Sequence, residues 1–194
     1  MYKKVNITEN HLQALILFTK GYNKEYYIRE VQRLLKISPR ASQLILDNLE
    51  KLGALKSKTR GKIKLYSLKK ENEISKQYIK LAEKYKLITF LTEKTEIKHL
   101  LKEINNISPR TTLIIFGSYA KNIEKKGSDL DILAITGVSF NKKDIENLEK
   151  THTFKISVKT VKTTEFDKND TLIKEVTENH VILQNGDLFI DLVW

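Results

Sequence analysis

The chain has no cysteine among its 194 residues. No disulfide can staple it, and no thiolate can hold a metal. Proline is nearly absent too, with two residues, and both stand where helical patterns start or stop: Ser38-Pro39 and Ser108-Pro109. No apolar run approaches the roughly 20 residues needed to span a bilayer. The opening MYKKVNITEN lacks the apolar core of a signal peptide. A soluble, cytoplasmic protein with no membrane partner is expected. Acidic residues are scarce in one part only. Residues 1–72 hold 16 Lys/Arg against 6 Asp/Glu, whereas residues 73–194 hold 19 against 18. A basic first part points to a polyanionic partner, most simply nucleic acid. A chain of this length suits one large or two small domains.

What is present is concentrated in one stretch, Leu113 to Ile135, reading LIIFGSYAKNIEKKGSDLDILAI. Two short apolar runs, Leu113–Phe116 and Leu130–Ile135, are bounded by turn residues and read as buried strands. Residues two apart on a strand share a face, so Asp129 and Asp131 project side by side where the second strand begins. Carboxylates held that close repel each other, and a divalent cation relieves the repulsion. Oxygen ligands suit Mg²⁺ (or Mn²⁺), held by one or two carboxylates together with substrate phosphates. Gly117-Ser118, after the first strand, lets backbone approach a phosphate closely. A helix opening at Tyr119 would add free amides facing an anion.

Gly117-Ser118, the ten residues Tyr119 to Ser128, and Asp129-Leu130-Asp131 together resemble the signature of the polymerase β-type nucleotidyltransferase superfamily: Gly-Ser, ten residues, Asp-x-Asp. The resemblance implies transfer of a nucleoside monophosphate from a nucleoside triphosphate to an acceptor. Asp129 and Asp131 would be the catalytic, metal-holding residues. Gly117 and Ser118 would cradle phosphates, and Ser128 would support Asp129 or the phosphates. Lys121 stands where relatives often carry Arg, and would contact phosphate as a point charge without the bidentate fork.

The basic part reads as three helices and a hairpin. Thr8 caps the first helix, with Leu12, Leu15, Ile16 and Thr19 inward and Gly21 closing it. A second helix is expected over Tyr26–Lys36, with Ile28, Val31 and Leu34 or Leu35 inward. A third, Arg40–Leu52, restarts at Ser38-Pro39 and buries Ile45, Leu49 and Leu52. Leu55, Ile63, Leu65, Tyr66 and Leu68 then outline two strands around Thr59-Arg60-Gly61. The run EVQRLLKISPRASQLILDNLEKLGALKSKTRGKIKLYSL is similar to the winged helix-turn-helix domains of transcription regulators, over about residues 8–70. That resemblance implies a third helix in the major groove of duplex DNA, with a flanking hairpin. Arg40 and Gln43 would reach base edges, with Asp47 also outward. Lys58, Arg60, Lys62 and Lys64 would meet the backbone, since a run of like charges repels itself without an anion bound.

The expected architecture is α+β: a winged helix-turn-helix over 1–72, a helical linker over 73–107, and a mixed-sheet nucleotidyltransferase domain over 108–194. In the linker, Ile74, Tyr78, Leu81, Tyr85 and Ile88 keep a spacing of three or four and read as the inward face, which could also form a homodimer. Leu100, Leu101 and Ile104 mark a second helical piece. A helix over Asn141–Lys150, a third strand over Phe154–Val161, a helix over Thr171–Asn179 and a final strand pair, His180–Leu183 and Asp187–Val193 around Asn185-Gly186, complete the chain. His152 and His180 lack partners at metal spacing.

One departure divides the functional expectation. Active relatives take a third carboxylate from the third strand, which here reads FKISVKTVK with no acid from Phe154 to Lys162. Ser157 or Lys159 occupies that place, and Glu165 follows too late. One expectation is an Mg²⁺-dependent nucleotidyltransferase, resembling small antitoxins that modify a HEPN-type toxin with AMP. The other is a DNA-binding regulator whose transferase fold holds nucleotide with weak turnover or none.

Overall fold

The computed structural model of the chain describes residues 5–137, 140–152 and 154–194. Two compact units are present, Met1–Tyr85 and Lys86–Trp194.

The first unit opens with α1 (Glu9–Thr19), with Thr8 at the N-cap as expected. Its buried residues are Ala14, Leu15, Leu17, Phe18 and Thr19, a stripe rotated from the expected one, because Phe18 offers more apolar area than Leu12. Tyr26–Tyr27 is not helical. It forms a short strand, β1, pairing antiparallel with Tyr66 and Leu65. The aromatic pair suits a strand, and Tyr26 Oη donates to the Leu17 carbonyl at 3.1 Å. Helix α2 is therefore shorter than expected, Ile28–Leu35, and buries Val31 while Leu34 stays exposed. It stops at Lys36, whose φ of 54° breaks the helical path. Helix α3 (Pro39–Lys51) starts where Ser38 accepts from the Ala41 amide, and it buries Ser42, Ile45, Leu46 and Leu49. Strands β2 (Leu55–Arg60) and β3 (Ile63–Leu68) form the hairpin. Arg60 pairs with Ile63, so the turn is Gly61-Lys62 rather than Thr59-Arg60-Gly61. Gly61 takes φ +61°, the left-handed geometry a two-residue hairpin turn demands. The sheet order is β1-β3-β2. Three helices with a hairpin after the third make this a winged helix-turn-helix unit.

Helix α4 (Glu73–Glu93) corrects the expected inward face. Ser75, Ile79, Ala82, Glu83 and Phe90 are buried, whereas Ile74, Leu81 and Ile88 are 53%, 45% and 62% exposed. The helix carries two apolar stripes. Burial went to the one with small residues, and Glu83 accepts from the buried Tyr22 hydroxyl at 2.8 Å.

The second unit holds α5 (Thr95–Ile107), β4 (Thr112–Phe116), α6 (Gly117–Ala120), β5 (Leu130–Thr136), α7 (Lys142–Glu146) followed by a 3-10 turn (Asn147–Lys150), β6 (Ile156–Lys162), α8 (Thr171–Glu178), β7 (Val181–Gln184) and α9 (Gly186–Val193). The sheet order is β6-β5-β4-β7, with β5 and β6 parallel and the other pairs antiparallel. One face packs Leu113, Ile115, Leu130, Ile132, Ala134, Ile156 and Val158 in a cluster with Ile97, Leu100 and Ile104 of α5 and Ile145 of α7. Each such fully buried side chain contributes roughly 1.5–3 kcal/mol. The other face carries Ile114, Phe116, Leu133 and Ile135, with α8 and α9 against β4.

The segment expected as a last strand, Asp187–Val193, is helix α9 instead. Phe189, Ile190 and Val193 recur at helical spacing and are buried, a pattern that competes with the alternation of a strand. Asn185 is left-handed at φ 51°, and its amide donates to the Pro109 and Thr111 carbonyls at 2.8 and 3.0 Å. Those bonds end β7 and turn the chain away from a hairpin.

Candidate functional site

Strand β4 ends at Phe116, which pairs with Asp131 on β5, and Asp131 pairs with Ser157 on β6. Phe116, Asp131 and Ser157 thus form a row across three strands on one face. Immediately after Phe116 the backbone turns at Gly117, φ +68°, into the single helical turn α6. A Cβ built on Gly117 would meet Asp131 Oδ2 and Cγ. Glycine here is therefore what lets the Asp131 carboxylate lie over the turn, which physically ties Gly117-Ser118 to Asp129-Leu130-Asp131.

The rest of the turn is pinned locally. The Lys121 amide donates to the Gly117 carbonyl at 3.2 Å, and the Ile123 amide donates to that of Ser118 at 3.1 Å. Ser128 accepts from the Lys125 amide at 2.9 Å and donates its own amide back to Lys125 at 2.9 Å. Its hydroxyl thus braces the 125–128 loop that leads into Asp129. Lys121 is engaged by Glu175 of α8 at 3.0 Å. With four residues, α6 sums few peptide dipoles, so any attraction for an anion rests on local amides and hydroxyls more than on the helix.

Burial pushes the Asp131 carboxyl up from its ordinary range. Lys159 pulls it down, while Asp129 and Glu175 push it up again. The Asp131 carboxyl is therefore partly desolvated, with acids and one lysine both acting on it. Glu175 is a contributor that sequence spacing did not reveal, because it lies 44 positions after Asp131 and only the packing of α8 beside β4 brings it near. Among the described residues no group of three or more Asp, Glu or His side chains gathers at metal-binding distance. The donors that are present, two carboxylates without nitrogen or sulfur ligands, fit a single hard divalent ion whose remaining ligands come from substrate phosphate and water.

His180 is 1% exposed and lies edge-on to Phe189, and His152 stacks on Phe154 beside Glu103. Both serve packing.

In the first unit Arg40 is exposed in the first turn of α3, and Gln43 is half-buried one turn on. Arg60 and Lys62 are exposed at the hairpin tip. Lys58 is exposed and paired with Glu25. Lys64 is not free: it donates to Asp47 at 3.1 Å and Glu50 at 2.8 Å, and lies 4.7 Å from the Tyr66 ring centroid. The Tyr66 hydroxyl donates to Asp47 at 2.7 Å, and Ser57 donates to Glu50. The Glu50 bond above all raises the Lys64 pKa, and burial followed by the Asp47 bond pushes Tyr66 up to about 12. Asp47, expected outward on the third helix, is instead the junction between helix and wing.

Residues 95–183 match the family model described as Nucleotidyltransferase domain. The match runs from α5 through β7 and takes in Gly117, Ser118, Asp129 and Asp131. Nucleotidyltransferase domains generally use a nucleoside triphosphate and a divalent metal. No curated protein matches the chain. Among solved structures, a mutant of ZitR from Lactococcus lactis is 22% identical, with 55% of this chain and 65% of that one covered and a TM-score of 0.37. The YusO protein from Bacillus subtilis is 18% identical, with 52% of this chain and 75% of that one covered and a TM-score of 0.34. The chain thus spans just under two thirds of the length of ZitR. No helix among the described residues is long and apolar enough to cross a membrane.

Proposed function

We propose that the second unit transfers a nucleoside monophosphate from a nucleoside triphosphate to an acceptor, and that the first unit binds duplex DNA. The observation that carries the transferase reading is the Asp131 carboxylate lying over Gly117, with Asp129 two residues before it, just ahead of β5. Asp129 and Asp131 would hold one Mg²⁺ or Mn²⁺. When bound, such an ion neutralises charge that develops on phosphorus and on the leaving pyrophosphate. Gly117 would keep backbone open to approach, and the Ser118 hydroxyl and amide would donate to phosphate. Lys121 would exchange Glu175 for a phosphate oxygen, and Ser128 holds the loop that aims Asp129. The test is incubation with labelled nucleoside triphosphates and Mg²⁺. Wild type should incorporate label or release pyrophosphate, and the double variant Asp129→Ala/Asp131→Ala should not.

A second reading is favoured by Ser157, which stands opposite Asp131 where an acid would complete a two-metal site. In it the protein is a DNA-binding regulator that holds nucleotide with little turnover. Nucleotide binding without pyrophosphate release would support it. Under the first reading a protein acceptor such as a HEPN-type toxin is one candidate, tested by mass shift of the acceptor.

For the DNA-binding unit, Arg40 and Gln43 would read bases from α3, and Arg60 and Lys62 with Lys58 would meet phosphates. Lys64 would do so only by leaving its carboxylates. We also propose that two copies pair through α4. Ile74, Tyr78, Leu81, Tyr85 and Ile88 alternate spacings of four and three, the repeat of a coiled-coil seam. Leu81→Lys should lower the sedimentation mass from dimer to monomer.

A further inference from the structure

Lys159 lies on β6 two residues past Ser157 and so faces the same side of the sheet as Phe116, Asp131 and Ser157. Its in-register neighbour is Leu133, yet its ammonium is 5.7 Å from the centroid of the Phe116 ring. Phe116 is on β4, with β5 between. Neighbouring strands lie roughly 4.8 Å apart, so the Lys159 side chain must lean diagonally across β5 to come that near. The path takes it over the row that holds Asp131. It forms no ion pair with a carboxylate among the described residues, and its charge is nonetheless felt at Asp131. The buried Phe116 ring gives the ammonium a seat through cation–π attraction.

Resting on the transferase reading above, we propose that Lys159 is a built-in cation of this site, binding the triphosphate in place of a second divalent ion. A two-metal site needs carboxylates enough to hold both ions about 3.5–4 Å apart. Here Asp129 and Asp131 are the only acids at the start of β5, and the neighbouring strand offers Ser157 and Lys159. A second ion would have no acid on β6 to hold it, would find Glu175 of α8 already paired with Lys121, and would be repelled by the ammonium. The same ammonium is placed to donate to a phosphate oxygen, as a compact point charge with three donors. The site therefore takes one divalent ion per nucleotide, with Lys159 supplying the remaining positive charge.

The experiment uses the full chain, α,β-methylene ATP and its GTP counterpart, and Mn²⁺. Bound Mn²⁺ is counted by electron paramagnetic resonance, and nucleotide affinity is measured by calorimetry. Wild type is expected to take one Mn²⁺ per bound nucleotide. Lys159→Ala should weaken nucleotide binding by on the order of tenfold, as expected for one lost charge-assisted hydrogen bond. Lys159→Arg should keep most of the affinity. Ser157→Asp/Lys159→Ala, which puts an acid opposite Asp131 and removes the ammonium, should take two Mn²⁺ per nucleotide. Lys159 is exposed and Ser157 half-buried, so these variants leave the core intact, which melting by circular dichroism checks. Two Mn²⁺ per nucleotide in wild type, or unchanged affinity in Lys159→Ala, would overturn the proposal while leaving the transferase reading standing. No nucleotide binding by wild type under any of these conditions would overturn both.

Discussion

Gly117 and Asp131 occupy one another's space: the glycine has no Cβ, and the carboxylate lies where one would be. Gly117→Ala should therefore do two things. Placing alanine at φ +68° costs about 1–2 kcal/mol, read from urea unfolding. The displaced carboxylate should also abolish metal-dependent nucleotide binding. If binding survives intact, the Asp131 carboxylate is not where the metal is held. Asp131 itself carries a stability cost. Its pKa is raised in the fold, chiefly by burial, so the native state favours the protonated form. Stability from this group is present at low pH and lost as pH rises through the folded pKa. Asp131→Asn, which stays neutral, should accordingly melt higher than wild type at pH 7 without metal. The gain should vanish toward acidic pH, where the wild-type carboxyl is protonated. The same variant should lose metal-dependent nucleotide binding. A variant that melts lower at pH 7 would mean the carboxylate is favourably held in the apo fold.

At the scale of elements, the wing is joined to α3 by Asp47 and Glu50. Both carboxyls sit below their ordinary range. For Asp47 the Tyr66 hydrogen bond is the main cause. For Glu50 burial works the other way, and the bonds from Lys64 and Ser57 outweigh it. With folded pKa values lowered, stability from these acids is present above their unfolded pKa near 4 and lost as pH falls below it. The hairpin should loosen from α3 in acid, and hydrogen exchange of β3 amides should rise there before that of β4. In Asp47→Asn/Glu50→Gln the acid dependence of β3 protection should flatten, since no carboxylate remains to protonate. Protection that keeps its acid dependence in this variant would place the linkage elsewhere.

For the molecule as a whole, the positive charge of residues 1–72 makes salt dependence the most direct test of the proposed DNA binding. Each phosphate contact contributes roughly 0.9 to the slope of log affinity against log salt. Arg60→Ala and Lys62→Ala together should lower the slope by about 2. Lys64→Ala should change it less, because Lys64 is already neutralised by two carboxylates, and should instead destabilise the unit. Arg40→Ala should alter sequence preference more than salt slope, since Arg40 opens the helix expected in the major groove. Equal slope changes for Lys62 and Lys64 would mean the Asp47–Glu50 pairing gives way when DNA binds.

Local chemistry settled a good deal from the sequence alone. Ser38-Pro39 started α3, Gly61 sat in the hairpin turn, and the two apolar runs around Gly117-Ser118 became β4 and β5, because caps, left-handed turns and short apolar strands depend on neighbours in the chain. The placing of Asp131 second on β5, with Asp129 just ahead of that strand, follows from the same local rules. What only tertiary structure decided were choices between nearly equal local options. Helix α4 carries two apolar stripes, and packing chose the one with Ile79 and Ala82 over the one with Leu81. Asp187–Val193 fits a strand or a helix, and the left-handed Asn185, tied to Pro109 and Thr111, selected the helix. Lys64 has no local sign of its carboxylate partners, which come from α3. The closeness of Glu175 to Asp131, and of Lys159 to Phe116, depends on which strands and helices lie side by side. Spacing along the chain does not encode that, because the free energy that brings distant segments together is burial summed over the whole unit.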